Sequence, residues 1–304
     1  MLAMLAASSS AAQKFALPSQ FDEVVGSVST VAASRDETLL DIARRFHVGQ
    51  REIVMANPSV DRWLPAEGAE VILPTEYILP RVQRKGLVLN VPEMRLYYFP
   101  PREAHEPAVV HTFPVSIGRM DWSTPIAHTR VVEKTENPTW RPPASIVAER
   151  KTNGEPPPEV IPPGPKNPLG KYAFRLGLPA YLIHGTNKPY GIGMRVTHGC
   201  VRMYPEDIEF LYPLVPVGTP VAIVNQPIKV GWQGDQLYVE IHPPLEEDSS
   251  KRSVKERVSD LVRLESEKRR LVLDRAAVEE ALKRQDGIPT VIGRAGAAGA
   301  AAGD

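Results

Sequence analysis

The stretch LIHGTNKPYGIGMRVTHGCVRMYPEDIEFL, residues 182–211, decides how this chain is read. It holds Cys200, the single cysteine among 304 residues, preceded by His198 and, on the far side of a glycine-rich loop, by His184. A lone cysteine has three readings. It is a small buried hydrophobe, or one of three zinc ligands with His184 and His198, or a nucleophile. A His-x-Cys pair is an awkward chelate from one strand, which weakens the zinc reading. A free thiol titrates at about 8.5, so a nucleophile working near neutrality needs an imidazole to take its proton or to stabilise the thiolate.

His184 closes an apolar strand, AYLIHGT (180–186), and a strand end facing a groove suits a general base. No Asp or Glu neighbours it in sequence, so a backbone carbonyl at the Gly185 turn is the expected orienter of the imidazole. Gly199 allows a tight turn. The N–H groups of Gly199 and Cys200 are then expected to aim at a developing oxyanion, the chemistry of acyl transfer. Arg202, two residues beyond the thiol, falls on the same side of an extended segment and puts a fixed charge beside it.

Outward from this stretch the chain reads as short strands. GLVLNVPEMRLYYFP (86–100) gives two around a turn at Pro92-Glu93; AVVHTFPVSIG (108–118), HTRVVEKTE (128–136), YAFRLGLPAYLIHGT (172–186) and TPVAIVN (219–225) give more. Strands at this spacing predict a mainly β catalytic domain over 76–226, closed as a sandwich or barrel rather than a parallel sheet with crossover helices. The proline-rich excursion 140–170 is too long for an ordinary connection and reads as a flap over a groove.

Residues 27–75 predict a small α+β unit: strand, a helix capped at Asp36 with Leu39, Leu40, Ile42, Ala43 and Phe46 on one face, a second helix ending at Asn57-Pro58, and a returning strand. Residues 227–248 predict a hairpin extension, 249–285 one charged helix docking a narrow apolar face (Val254, Val258, Leu261, Val262), and 286–304 a flexible tail. Residues 1–26 read as a leader, with Ser10-Ala11-Ala12 suited to a cleavage site, so export is expected even though a basic n-region is missing.

Bulk composition narrows the function classes. Lysine plus arginine equals aspartate plus glutamate at 36 each, which gives no whole-chain signature of nucleic-acid binding. The 31 prolines oppose a helical bundle, and the single cysteine excludes an internal disulfide. No segment approaches the roughly 20 apolar residues of a membrane span. Neither a cofactor nor a resident metal is called for.

LIHGTNKPYGIGMRVTHGCVRM resembles the signature of the L,D-transpeptidase catalytic domain of the YkuD type. The likeness extends through FPVSIGRMDWSTP, ENPTWRPPASIVAE and GPKNPLGKYAFRL toward the ErfK/YbiS subgroup, and covers about residues 27–245. By position it implies Cys200 as nucleophile, His184 as base, Gly185 as its orienter, and His198 with Gly199 around the oxyanion. It implies Arg202 as holder of a substrate carboxylate, with Thr186, Asn187, Tyr190 and Thr197 as further substrate contacts. The family's glycine after Thr-Pro is absent from Thr124-Pro125-Ile126-Ala127-His128; His128 reads as a surface residue. DETLLDIARRFHVGQREIVMANP (36–58) similarly resembles a LysM domain, which implies contact with peptidoglycan strands.

The resemblance implies a periplasmic enzyme that forms a thioester at diaminopimelate of a stem tetrapeptide, releases D-alanine and passes the acyl group to an amine. That amine belongs to a second diaminopimelate, giving a 3→3 crosslink, or to the lysine of an outer-membrane lipoprotein. The alternatives are an L,D-carboxypeptidase or wall–lipoprotein hydrolase of the same fold, and a non-catalytic wall-binding protein.

Overall fold

The computed structural model describes residues 12–17, 22–102 and 107–296. The leader residues 1–11 and the last eight residues of the expected tail lie outside these. Within the supposed lead-in, the described residues 12–17 and 22–26 carry two strands. Gln13–Ala16 is a strand, β1, and Val24–Gly26 a second, β2. Phe15 places β1 by packing its ring 6.2 Å from that of Tyr77.

A βααβ unit follows: β3 (Ser29–Ala32), α1 (Leu39–Arg45), α2 (Gln50–Ala56) and β4 (Glu70–Leu73), with β3 and β4 antiparallel. The cap of α1 is Thr38, not Asp36. Asp41 N–H donates to Thr38 Oγ1 at 3.1 Å, while the Asp41 carboxylate accepts from Thr38 N–H at 3.0 Å, a reciprocal capping box. Leu39, Ile42 and Ala43 bury against Ile53, Val71 and Leu73. The unit is seated rather than tethered. At the α1–α2 corner His47 Nδ1 lies 2.5 Å from Asp207 Oδ1, Arg44 meets Glu206 through two bonds of 2.8 and 3.0 Å, and Gln50 N–H donates to Ile192 O at 2.9 Å. Two α2 N–H groups that no helix carbonyl reaches, those of Gln50 and Arg51, are thus taken up by Ile192 O and Gly193 O in the loop between His184 and Cys200.

After β5 (Glu76–Ile78), which pairs with β2, come β6 (Gly86–Asn90), β7 (Arg95–Phe99), β8 (Val109–Gly118) and β9 (Ala127–Glu136). Helix α3 (Ala144–Thr152) lies within the proline-rich excursion. Then follow β10 (Tyr172–Leu176), β11 (Leu182–His184), β12 (Arg195–Thr197), β13 (Val201–Met203), α4 (Pro205–Leu214) and β14 (Pro220–Val224). The strands run β8-β13-β11-β10-β9-β14-β6-β7, and β7 pairs back with β8, so the sheet closes on itself as the spacing predicts. It is mixed: β11–β13, β6–β14 and β8–β12 are parallel. Leu87, Leu89, Leu96, Phe113, Val131, Phe174 and Ile183 fill the interior, and α4 adds Ile208 and Leu211.

The C-terminal segment differs from the single helix expected. The hairpin β15 (Ile228–Gln233) and β16 (Gln236–Ile241) is followed by α5 (Val254–Lys268), β17 (Leu271–Leu273), α6 (Arg275–Arg284) and β18 (Thr290–Ala295), forming a four-stranded sheet in the order β15-β16-β18-β17. Arg269 turns extended, the Leu-Val-Leu run forms an edge strand, and the Asp274 side chain caps a new helix by accepting from Ala277 N–H. Sequence within the expected tail forms β18 because Ile292 has a core to enter beside Val230, Val239 and Val258.

Candidate active site

β11 and β13 lie side by side in parallel register, Ile183 opposite Val201 and His184 opposite Arg202. Ile183 and Val201 point into the barrel, so His184 and Arg202 share the other face, and Cys200 enters from the residue just before β13. The register therefore sets imidazole, guanidinium and thiol on adjoining strand ends.

His184 is 4% exposed, and its Nδ1 lies 2.6 Å from Gly185 O. Burial, reinforced by the nearby Arg202 charge and only partly offset by the Gly185 and Leu169 carbonyls, pulls this imidazole down to about 3. The ring is neutral at neutral pH. With Nδ1–H donated to the carbonyl, Nε2 is the basic nitrogen. Gly185 lies close to the Leu169 carbonyl and the Ile208 side chain, where a side chain would crowd the turn that aims the imidazole.

Cys200 is half-buried, and its Sγ lies 3.6 Å from Ala180 O, an acceptor in the turn between β10 and β11. Burial pushes the thiol up; the Leu182 N–H and Arg202 oppose this without reversing it. The resting pair is thus neutral thiol and neutral imidazole, not a thiolate–imidazolium ion pair. Arg202 is itself held down by burial, and its Nε is buried without a hydrogen-bond partner, an unsatisfied donor at the site.

The loop carrying the thiol is braced on both sides. Thr197 Oγ1 donates to Cys200 O at 2.6 Å and accepts from Gly199 N–H at 3.2 Å. That N–H, expected to face an oxyanion, is therefore engaged within the loop. Gly199 has φ +99°, and a side chain there would meet the Tyr181 ring at 2.8 Å. Thr124 Oγ1 donates to Gly199 O at 2.9 Å and accepts from Gly118 N–H at 3.0 Å, fastening the 118–124 turn to the loop.

His198 does not turn toward the thiol. Its Nε2 lies 2.5 Å from Glu149 Oε2, and its ring packs 5.4 Å from that of Trp122. Thr186 is buried and accepts from Lys188 N–H at 3.0 Å; Asn187 donates to Lys166 O at 3.0 Å. Both line a cleft of about 470 Å³ with Asn137, Asn167, Lys171 and Pro189. Tyr190 is exposed and lies outside that lining. The position of the absent glycine, Ala127, opens β9, and His128 beside it is exposed.

The three-ligand zinc arrangement is not assembled. Among the described residues, the group of His, Cys, Asp and Glu side chains that converges within 4.8 Å is Glu93, Glu240 and His242, and Lys229 Nζ sits among them, 2.9 Å from Glu93 and 2.7 Å from Glu240. Sequence reasoning missed Thr124, Glu149, Ala180 and Tyr181. Only the Thr124-Pro125 pair left a signal; the others meet the loop through tertiary contacts.

Residues 84–223 match the YkuD family, described as the L,D-transpeptidase catalytic domain. The chain is 38% identical over 288 residues to the protein named Probable L,D-transpeptidase YbiS of Escherichia coli strain K12, spanning 93% of this chain and 92% of that one. It is also 38% identical over 297 residues to Probable L,D-transpeptidase ErfK/SrfK of the same strain, spanning 95% and 94%. Among solved structures, the catalytic domain of the E. faecium L,D-transpeptidase aligns with a TM-score of 0.35 and 18% identity over 48% of this chain and 100% of that one.

Proposed function

The chain belongs to the L,D-transpeptidase family, with a catalytic domain of the YkuD type, and from that premise we propose that it acylates Cys200 with the stem tetrapeptide of peptidoglycan in the periplasm. The observation that carries the proposal is the register of His184 opposite Arg202, two residues beyond Cys200, with Nδ1 tied to Gly185 O and Nε2 left as base.

The thiol attacks the diaminopimelate carbonyl as its proton passes to His184 Nε2. The carbon–nitrogen bond to D-alanine breaks, and the imidazolium returns the proton to the leaving amine. A thioester remains. An incoming amine attacks it, His184 takes the amine proton, and the departing sulfur regains a proton from the same imidazole. Arg202, with its unpaired Nε, is the proposed holder of a substrate carboxylate. The acceptor amine is that of a second diaminopimelate or of a lipoprotein lysine; water in its place gives the L,D-carboxypeptidase. The βααβ unit is proposed to meet the glycan, and Trp63 offers an aromatic face 62% exposed.

The test is D-alanine release from tetrapeptide muropeptides, followed by mass spectrometry. Cys200→Ala should abolish it, and turnover retained by that variant overturns the assignment. Sacculi incubated with and without lipoprotein identify the acceptor from the new muropeptides. Binding to sacculi with no thiol reactivity at all would favour the non-catalytic reading.

A further inference from the structure

We infer that Arg119 and His198 form a subsite for a carboxylate of the stem peptide, and that Glu149 fills this subsite in the resting protein. The inference rests on the function proposed above and adds to it a second anion-binding point, apart from Arg202.

Glu149 lies on α3, inside the proline-rich excursion. One carboxylate oxygen is 2.5 Å from His198 Nε2, and the other accepts from Arg119 Nη2. These two donors, His198 first and Arg119 second, hold the Glu149 carboxyl below its ordinary range. His198 belongs to the loop that carries Cys200, and Arg119 to the 118–124 turn fastened to that loop. Arg119 N–H donates to Thr197 O at 3.1 Å, and the His198 ring packs on Trp122. Their places are fixed by the same bracing that fixes Cys200, two residues from His198.

Glu149 is held differently. No residue of α3 is buried, so moving this helix exposes little apolar surface. The excursion is anchored at its base instead. Asn167 Nδ2 donates to Pro138 O at 2.8 Å and to Ile161 O and Pro162 O at 3.2 Å, and Trp140 bridges to Ile161. A fixed base and an unburied tip make a flap whose closed position depends on the Glu149 contacts.

The donors are not saturated by Glu149. Arg119 Nε is buried and has no hydrogen-bond partner. A guanidinium with a spare N–H beside an imidazole N–H is a carboxylate-binding arrangement. A substrate carboxylate entering it replaces Glu149 like for like, so opening the flap forfeits little hydrogen bonding, and the spare donor gains an acceptor. Stem tetrapeptides carry carboxylates on the terminal D-alanine and on the diaminopimelate side chain, and both present this chemistry. An internal carboxylate that occupies the subsite most of the time weakens substrate binding by the fraction it leaves open.

The test measures binding of synthetic stem tetrapeptide to the full chain carrying Cys200→Ala, by calorimetry, with and without Glu149→Ala. Removing the internal carboxylate should tighten binding about tenfold, as for a site nine-tenths occupied. Adding Arg119→Met should reverse that gain. Peptides amidated at the terminal D-alanine or at the diaminopimelate side chain identify the carboxylate: the relevant amide loses the response to Glu149→Ala, and the other keeps it. With Cys200 intact, Glu149→Ala should lower KM by the same factor and change kcat much less. Unchanged or weakened binding in Glu149→Ala, equal responses by all three peptides, or no peptide binding at all each overturns the subsite. D-alanine release by the parent enzyme alongside such a result leaves the proposed function standing, and its absence removes that function independently.

Discussion

Glu52 and Arg95 form a bidentate ion pair in which the arginine is fully buried and the glutamate largely so. Arg95 is 0% exposed, with Nε 2.8 Å from Glu52 Oε1 and Nη2 2.7 Å from Oε2, and its guanidinium lies 4.1 Å from the centroid of the Tyr77 ring. Glu52 stands in the first turn of α2 and also accepts from Gly49 N–H at 2.5 Å, so one carboxylate caps the helix and clamps the βααβ unit to β7. Removing one partner of such a pair leaves a charge buried without compensation. Glu52→Ala should lower unfolding stability by about 3–5 kcal/mol in urea titrations. Because the same corner bonds to Ile192 and Gly193, kcat should fall as well. A loss below about 1 kcal/mol would mean that Arg95 finds another acceptor.

The protonation state of the thiol is open to direct measurement. Burial raises Cys200, and His184, neutral down to about 3, offers no positive charge to a thiolate. The rate of alkylation by iodoacetamide should therefore climb through the ordinary thiol range and beyond, with no inflection near 6.5. His184→Gln should leave the position of that curve nearly unchanged while abolishing D-alanine release. A plateau of reactivity reached below neutrality would show a preformed ion pair and sink this account.

The barrel was readable because its strands alternate around short turns, and the candidate pair of His184 and Cys200 stood out because Cys200 is unique and preceded by two histidines. The Gly185 carbonyl was likewise readable, being one residue from the imidazole that it meets. What escaped was set by contacts distant along the chain. Glu149 reaches His198 across 49 positions, and Thr124 reaches Gly199 across 75. Neither carries a periodic signal. The split of the C-terminal helix escaped for another reason: RRLVLDR continues a helical charge pattern, and only the presence of β18 makes Leu271–Leu273 better placed as a strand. The lead-in failed similarly, since four residues become β1 only because β8 has an open edge to receive them.

Acid should destabilise the fold partly through His184. Its folded value of about 3 lies below the ordinary 6.5, so the unfolded chain binds the extra proton first as pH falls. The contribution is complete above about 6.5 and is lost progressively as pH drops toward 3, on the order of 5 kcal/mol across the window. His184→Gln removes the titrating group. Its unfolding free energy should fall less steeply than the parent's between pH 6.5 and 4, measured by denaturant titration at each pH. Parallel curves would show that the imidazole charges without unfolding the protein.

Gly199→Ala tests the loop geometry at its tightest point. The residue sits at φ +99°, outside the conformations an alanine adopts comfortably, and the added methyl would lie 2.8 Å from Tyr181 Cε1. Both effects act on the loop that carries Cys200, and Thr124 ties that loop to the 118–124 turn through Gly199 O. Two strains should therefore separate. Gly199→Ala alone should cost roughly 1–3 kcal/mol of stability and lower kcat by about a hundredfold, the scale for an attacking group displaced by an ångström. Adding Tyr181→Ala removes the steric clash but leaves the backbone strain, so it should recover part of the activity and not all of it. Full recovery would mean that the ring alone excludes a side chain at Gly199; no recovery would place the whole effect in the left-handed backbone that precedes Cys200.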